Sequence, residues 1–368
     1  MLTNRRKTRQ ISVGNVQIGS EYPISIQSMT NTDTKDINST LQQINALAEN
    51  GCEIIRIAIP DIDSADSVKD IVKESPIPVI GDIHFDHRLA LTAIKHGIHG
   101  IRINPGNIGS LEKVKQIANM AKLKNIPIRV GANTGSLARK FQVKNYDLSE
   151  DEKRNDLADS LVKSALKQCE LLEKFDFRDI KVSLKASDVL TSIKAYESFA
   201  KLTDYPLHLG ITEAGTFINS AIKSSIGIGS LLLAGLGDTI RVSVTGSPLE
   251  ELKIAKMILE STGCRDKSID IISCPTCGRT TTDLVNLVNK VETLINNLKK
   301  ENKHFKRFKI AIMGCAVNGP GEAKDADFGI AGAKGNYILF KNGKTLSGNY
   351  NELEALNILT SEIKKHAI

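Results

Sequence analysis

The stretch CPTCGR, residues 274–279, sets Cys274 and Cys277 three positions apart, a spacing at which one turn lets two thiolates grip one metal centre. The pair alone also fits a redox disulfide of thioredoxin type, whereas a zinc ribbon would want a second CxxC, which the chain lacks. A third sulfur narrows the choice. In MGCAVNGPGE (313–322), Cys315 stands between the strand-like KIAIM and the turn-rich NGPGE, where irregular backbone can wrap a cofactor. Three cysteines with Glu322 in the last loop fit an iron-sulfur cluster that has one iron not held by sulfur. A carboxylate there is hard enough to yield its place to a substrate oxygen. A zinc staple of Cys₃Glu type, or three inert thiols, would have the same spacing. Cys52 and Cys169 fall in strand or helix patterns and Cys264 beside a helix end, so these three read as structural.

A second set of reactive side chains follows short β-branched runs. The runs are 23–29, 52–60, 77–85, 100–106, 126–135, 179–187, 206–215 and 238–246. Their ends carry Arg56, Asp82 and His84, Arg102 and Asn104, Arg129 and Asn133, Lys185, His208 and Glu213, then Arg241 and Ser243. Guanidinium forks match phosphate oxygens two at a time, so several Arg and a Lys around one mouth read as a phosphate or diphosphate grip. The competing reading makes each Arg a cap of a barrel end, paired with neighbours such as Asp82. NPGNIGS (104–110) can aim backbone N–H groups and a helix N-terminus at an anion, or be a plain turn. In GITEAG (210–215), Glu213 sits where an acid could take part in proton transfer.

The elements that must position these groups are strands alternating with helices. Stretches such as INSTLQQINALAENG (37–51) and SADSVKDIVKES (64–75) repeat apolar residues at helical spacing, and eight such strand and helix pairs match an α/β TIM (β/α)₈ barrel. An open doubly wound sheet would use the same elements. YDLSEDEKRNDLADSLVKSALKQCELLEKF (146–175) reads as one helix with an N-terminal extension. After Gly246 and the helix that follows it, the pattern changes to strand, CxxC, long amphipathic helix, lysine-rich link and strand. The expected division is residues 1–260 as a substrate-binding barrel and 261–368 as a small α+β iron-sulfur cluster domain.

Composition bounds the function. Of 368 residues, 41% are hydrophobic, enough for a large core, and six cysteines are too sparse for a disulfide framework. A reducing cytoplasm is the expected home. The longest apolar run, IGIGSLLLAGLG (226–237), is short and glycine-broken, which argues against membrane insertion. The surplus of 49 basic over 42 acidic residues, with only 4% aromatics, suits an anionic small molecule or an acidic redox partner better than a nucleic acid.

QSMTNTDT, GCEIIRIAIP, GDIHFD, GIRINPGNIG, GITEAG, CPTCGR and GCAVNGPGE, in this order across nearly the whole chain, resemble the 4-hydroxy-3-methylbut-2-enyl diphosphate synthase family of the non-mevalonate isoprenoid pathway. The resemblance implies a TIM barrel followed by a cluster domain, one 4Fe-4S cluster, and a head-to-tail homodimer. It implies reductive opening and dehydration of 2-C-methyl-D-erythritol 2,4-cyclodiphosphate, with flavodoxin or a ferredoxin as electron donor. Carried over by motif, the cluster ligands are Cys274, Cys277, Cys315 and Glu322. Arg56, Arg102, Arg129 and Lys185 would hold the diphosphate, and Glu213 would take part in proton transfer. The positions at the strand ends add Asn104, Asn133, His208, Arg241 and Ser243 as further substrate-binding candidates, and Glu322 joins Glu213 as a catalytic candidate. The rival is a phosphate-binding barrel enzyme of pterin-synthase type whose cysteines form only a structural zinc site; a non-enzymatic electron carrier would need no cationic pocket.

Overall fold

A computed structural model describes residues 5–136, 148–301, 305–316 and 323–367. The chain divides into two compact units, the first ending at Arg265 and the second starting at Asp266. The division falls just beyond position 260 because helix Pro248–Ser261 packs on the first unit and Arg265 donates to the Ile24 carbonyl at 3.0 Å.

The first unit opens with a hairpin, β1 (Ile11–Val13) and β2 (Val16–Ile18), whose turn needs the left-handed φ of 57° that Gly14 supplies. Then come eight parallel strands: β3 (Ser25–Met29), β4 (Ile54–Ala58), β5 (Val79–Asp82), β6 (Gly100–Ile103), β7 (Ile128–Asn133), β8 (Ile180–Lys185), β9 (His208–Leu209) and β10 (Thr239–Ile240). They pair in sequence, β10 returns to β3, and the bridge Val182↔Leu207 joins β8 to β9, so the sheet closes into a barrel. A helix follows every strand, and seven of these eight helices start at an Asp or Ser whose side chain accepts a first-turn amide, from Asp36 to Ser247. Each such cap is worth about 1 kcal/mol and fixes how the preceding loop enters the helix. Among the described residues, such caps anchor the helix ends of the loops.

The ladders set the height of every inward side chain. Met29 pairs with Arg56, Arg56 with Ile80 and Ile80 with Gly100, while Arg102 pairs with Arg129, Arg129 with Lys181, His208 with Thr239 and Thr239 with Ser25. With the stagger of about one residue per strand usual in such barrels, side chains from alternate strands sort into layers of about four. The lowest holds Ile54, Gly100, Lys181 and Thr239, and the next Gln27, Ile80, Arg129 and His208. Above them stand Arg56, Arg102, Ser183 and Arg241, then Met29, Asp82, Gly131 and Gly210, with Lys185 and Ser243 at the rim. The hairpin closes the lower end, where Ile11, Val13 and Ile18 pack against Ile54 and Ile80.

The second unit is a five-stranded sheet. β11 (Ile269–Ser273), β12 (Phe308–Met313) and β13 (Phe328–Ala333) run parallel, and β14 (Asn336–Lys341) and β15 (Lys344–Thr345) continue antiparallel. Helices Leu284–Glu301 and Glu352–Lys364 lay Leu287, Val291, Ile295, Leu359 and Ile363 on one face, against Ile310, Ile312, Phe328 and Ile330. On the other face Phe340 lies directly across from Gly329, where an added Cβ would come within 1.9 Å of the Phe340 ring. Gly329→Ala should therefore destabilise this unit by about 1–3 kcal/mol, read as an earlier unfolding transition in calorimetry, because Phe340 is fully buried and cannot swing away. No helix among the described residues is long and apolar enough to cross a membrane.

Candidate active site

The barrel mouth encloses a cavity of ≈ 160 Å³ lined by Arg56, Asp82, His84, Arg102, Arg129, Asn133, Lys185, Thr212, Arg241 and Ser243. All four strand-end Arg and the Lys read from the sequence meet there. Arg102 is tied to Asp82 at 3.2 Å and donates to the His84 ring at 3.0 Å. Arg56 stands 3.9 Å from the same carboxylate and donates to the Met29 sulfur at 2.9 Å. Arg129 donates to Ser183 at 3.1 Å, and Arg241 reaches Glu251 at 3.4 Å.

Among the lining groups the positive charge is only partly answered. Five of them are cations and one, Asp82, is a carboxylate, with Glu251 behind Arg241 as a second acid outside the lining. Burial raises the Asp82 carboxyl, but Arg56, the bond with His84, Arg102 and Arg129 together pull it far below the usual range. The cations feel the reverse: burial and then mutual repulsion lower Arg56 to about 10 and hold Arg129 and Lys185 well below their ordinary values. Such a mouth attracts a compact anion of more than one charge, and a planar guanidinium array suits phosphate oxygens.

Three expected residues are placed differently. His208 starts β9 rather than ending it, because that strand is only two residues long, and it lies fully buried beneath the cavity with Nδ1 2.7 Å from Thr239 Oγ1. Asn104 turns its side chain back to accept from the Gly106 amide at 3.0 Å, capping its own turn instead of lining the cavity. Glu213 is not a lining residue either. Its φ of 53° is the left-handed region that a non-glycine residue seldom adopts, and the loop is held there by Thr245 N–H to the Gly215 carbonyl at 2.9 Å. A Cβ on Gly135 would stand 3.7 Å from the Glu213 carboxylate, so the loops after β7 and β9 meet. Glu251 was not legible. It sits in the first turn of helix Pro248–Ser261, where an acid looks like a dipole partner, yet it is buried and accepts from Ser28 at 2.8 Å.

In the second unit, Cys274 follows β11 and Cys315 follows β12, so neighbouring parallel strands deliver two sulfurs to one sheet edge. The Gly314 amide donates to the Cys274 sulfur at 3.2 Å, and Thr281 N–H bonds the Gly314 carbonyl at 2.9 Å, lacing the two loops together. Cys277 lies exposed in a turn closed by Thr280, and the Arg279 amide helps draw its thiol below the ordinary value. All six cysteines are free thiols. Among the described residues no three His, Cys, Asp or Glu side chains are gathered tightly enough to hold a metal ion. Glu322 lies outside the described residues. Thiols at adjacent strand ends, with an amide already aimed at one sulfur, are the donor chemistry an iron-sulfur centre uses.

Known proteins resemble both units. Residues 8–256 match the GcpE TIM-barrel domain and residues 270–365 the GcpE protein C-terminal domain. The chain is 51% identical over 343 residues, 93% of this chain and 94% of the relative, to 4-hydroxy-3-methylbut-2-en-1-yl diphosphate synthase (flavodoxin) of Clostridium perfringens. It is 50% identical over 364 residues, 99% of this chain and all of the relative, to the protein of the same name from Thermodesulfovibrio yellowstonii. Among solved structures, the dihydropteroate synthase of Yersinia pestis superposes with a TM-score of 0.50 at 11% identity, covering 69% of this chain and 98% of that one, which is a likeness of barrel fold alone.

Proposed function

This chain belongs to the GcpE family, and on that premise we propose that it converts 2-C-methyl-D-erythritol 2,4-cyclodiphosphate to 4-hydroxy-3-methylbut-2-enyl diphosphate. Two electrons and one proton enter, the ring C–O bond to phosphate breaks, and one hydroxyl leaves as water. The diphosphate gains a negative charge in the process. The observation that carries the reading is the convergence of Arg56, Arg102, Arg129, Lys185 and Arg241 on one small cavity.

In this reading Arg56, Arg102 and Arg129 bind the diphosphate oxygens and Lys185 and Arg241 complete the ring of charge, with Asn133 and Ser243 at the rim. Asp82 orients Arg56 and Arg102 and does not itself take a proton, being held ionised by them. Glu213, exposed on the loop after β9, is the proposed participant in proton transfer. Cys274, Cys277, Cys315 and Glu322 would hold a 4Fe-4S cluster, which supplies electrons one at a time and a Lewis-acidic iron. Flavodoxin, named for the two relatives, is the proposed electron donor. A homodimer is supported by the stripe Ile218, Ile222 and Ile226 on helix Phe217–Leu233, apolar at helical spacing and exposed among the described residues. We read the protein as cytoplasmic. A pterin-synthase chemistry is not favoured, since only the barrel fold is shared.

Anaerobic turnover of the cyclodiphosphate with reduced flavodoxin tests the reading; a colourless protein with no turnover after iron and sulfide reconstitution would overturn it. The role of Glu322 has its own check. Glu322→Gln should keep most of its iron, because three thiolates remain, and lose most of its turnover; near-native activity with an unaltered electron paramagnetic resonance spectrum would make Glu322 a turn residue only.

A further inference from the structure

Beneath the mouth the barrel carries polar groups that contact with a ligand in the cavity does not explain. Gln27, Lys181 and His208 are 1%, 1% and 0% exposed. Yet Lys181 Nζ, both amide atoms of Gln27 and His208 Nε2 have no hydrogen-bond partner among the described residues. The ladders place Lys181 beside Arg129 and in the layer below Gln27 and His208. An ammonium at that point would face Arg129 from β7 and Arg56 from β4, with Asp238, at the entry to β10, as the acid that offsets them. Asp238 is already engaged by Arg5 at 2.9 Å, by Thr8 at 2.9 Å and by the Leu207 amide at 2.8 Å. His208, deep among the same cations, is held neutral. A buried amine without an acceptor, repelled by two guanidinium groups, sheds its proton more readily than a solvated one.

We propose that Lys181 is a positioning residue that takes up a proton from solvent when a diphosphate enters the mouth. At pH 8 it is mainly the neutral amine in the empty barrel and the ammonium in the complex. The proton adds to the Nζ lone pair and no other bond changes. Burial still disfavours the charge, but the arriving anion offsets Arg56 and Arg129 and adds an attraction of its own, so the balance at Lys181 tips towards the ammonium, which then attracts the anion from below. This inference rests on reading the mouth as a diphosphate site. Burial first, and Arg129 second, bring the free Lys181 to about 7, which puts the change within reach of ordinary buffers.

The test is isothermal titration calorimetry of the anaerobic holoenzyme with the cyclodiphosphate, without reductant, at pH 8 in two buffers of different protonation enthalpy. Lys185 lines the mouth and is also held low, so it adds its own uptake to every variant; the difference between proteins isolates Lys181. The wild type should take up about one proton more than Lys181→Met, and its affinity should fall by up to about tenfold per pH unit above pH 7 relative to the variant. Equal uptake in the two proteins would overturn the proposal. No binding by the wild type would overturn the diphosphate reading and this inference with it.

Stability gives a readout independent of ligand. Between about 7 and the ordinary 10.5 the unfolded chain binds a proton that the folded chain lacks, so this group makes the wild type more stable as pH rises through that window. Lys181→Met and Lys181→Leu should both melt higher than the wild type at pH 7, with the gain shrinking towards pH 10. A lower melting temperature in both would mean that Lys181 has an acceptor and is already charged.

Discussion

Replacing Cys315 by Ser should abolish cluster assembly and lower turnover by roughly a hundredfold or more, while both units stay folded. Cys315 is buried where β12 ends, but it belongs to neither of the two apolar clusters that hold the second unit together. Exchange of sulfur for oxygen there removes a soft thiolate ligand and little packing. Cys274→Ser and Cys277→Ser should behave alike. The contrast is with Cys52 and Cys169, which are packed in the barrel core. Burial pushes the Cys52 thiol up to about 12 and that of Cys169 higher still. Packed in the barrel core among apolar side chains and disfavoured as thiolates, neither is placed to hold iron, and Ser at either position should leave the iron content intact. Iron and sulfide analysis of the anaerobically reconstituted variants decides: full iron in Cys315→Ser protein would remove it from the cluster.

The barrel was legible because parallel barrel strands are buried on both faces and so read as continuous apolar runs. All eight runs became strands, and the cations at their ends met because the ladders carry Arg56, Arg102 and Arg241 to one layer with Arg129 in the layer just below. The errors arose where a strand shrinks. β9 keeps two residues, so PLHLGITEAG does not reveal that His208 lies at its start. Glu251 escaped because burial of a helix residue depends on which way the helix lies over the barrel, and periodicity leaves that open. The closing hairpin Ile11–Ile18 hid behind basic residues, of which Arg5 proves to be structural, bonding the Gly237 carbonyl and Asp238. In the second unit, Asn342 and Gly343 both have positive φ at the turn between β14 and β15. Asn-Gly at that point is the hairpin signal the sequence did offer. At the cluster edge, by contrast, Cys274 and Cys315 are 41 positions apart in the chain, and only the parallel pairing of β11 with β12 brings their loops side by side.

Arg102→Ala should weaken binding of the cyclodiphosphate by roughly ten- to a hundredfold without altering the cluster spectrum, the loss of about 1.5–3 kcal/mol expected for a charge-assisted contact. Two of its donors are committed, to Asp82 and His84. Its side chain lines the cavity, and its Nε has no partner among the described residues. Loss of the Arg also costs Asp82 its 3.2 Å partner, leaving Arg56 at 3.9 Å and His84 at 3.6 Å. That second effect decides how the result is read. If Arg102 served only to neutralise Asp82, then Asp82→Asn should restore the stability lost in Arg102→Ala, and neither variant should change affinity. If it grips the diphosphate, Arg102→Ala binds weakly whatever occupies position 82, and Arg102→Lys recovers only part of the loss because an ammonium cannot span two oxygens as a guanidinium does. Calorimetric titration of the three variants separates the cases: native affinity in Arg102→Ala would leave the cationic ring as barrel-end ion pairing and remove its role as a diphosphate grip.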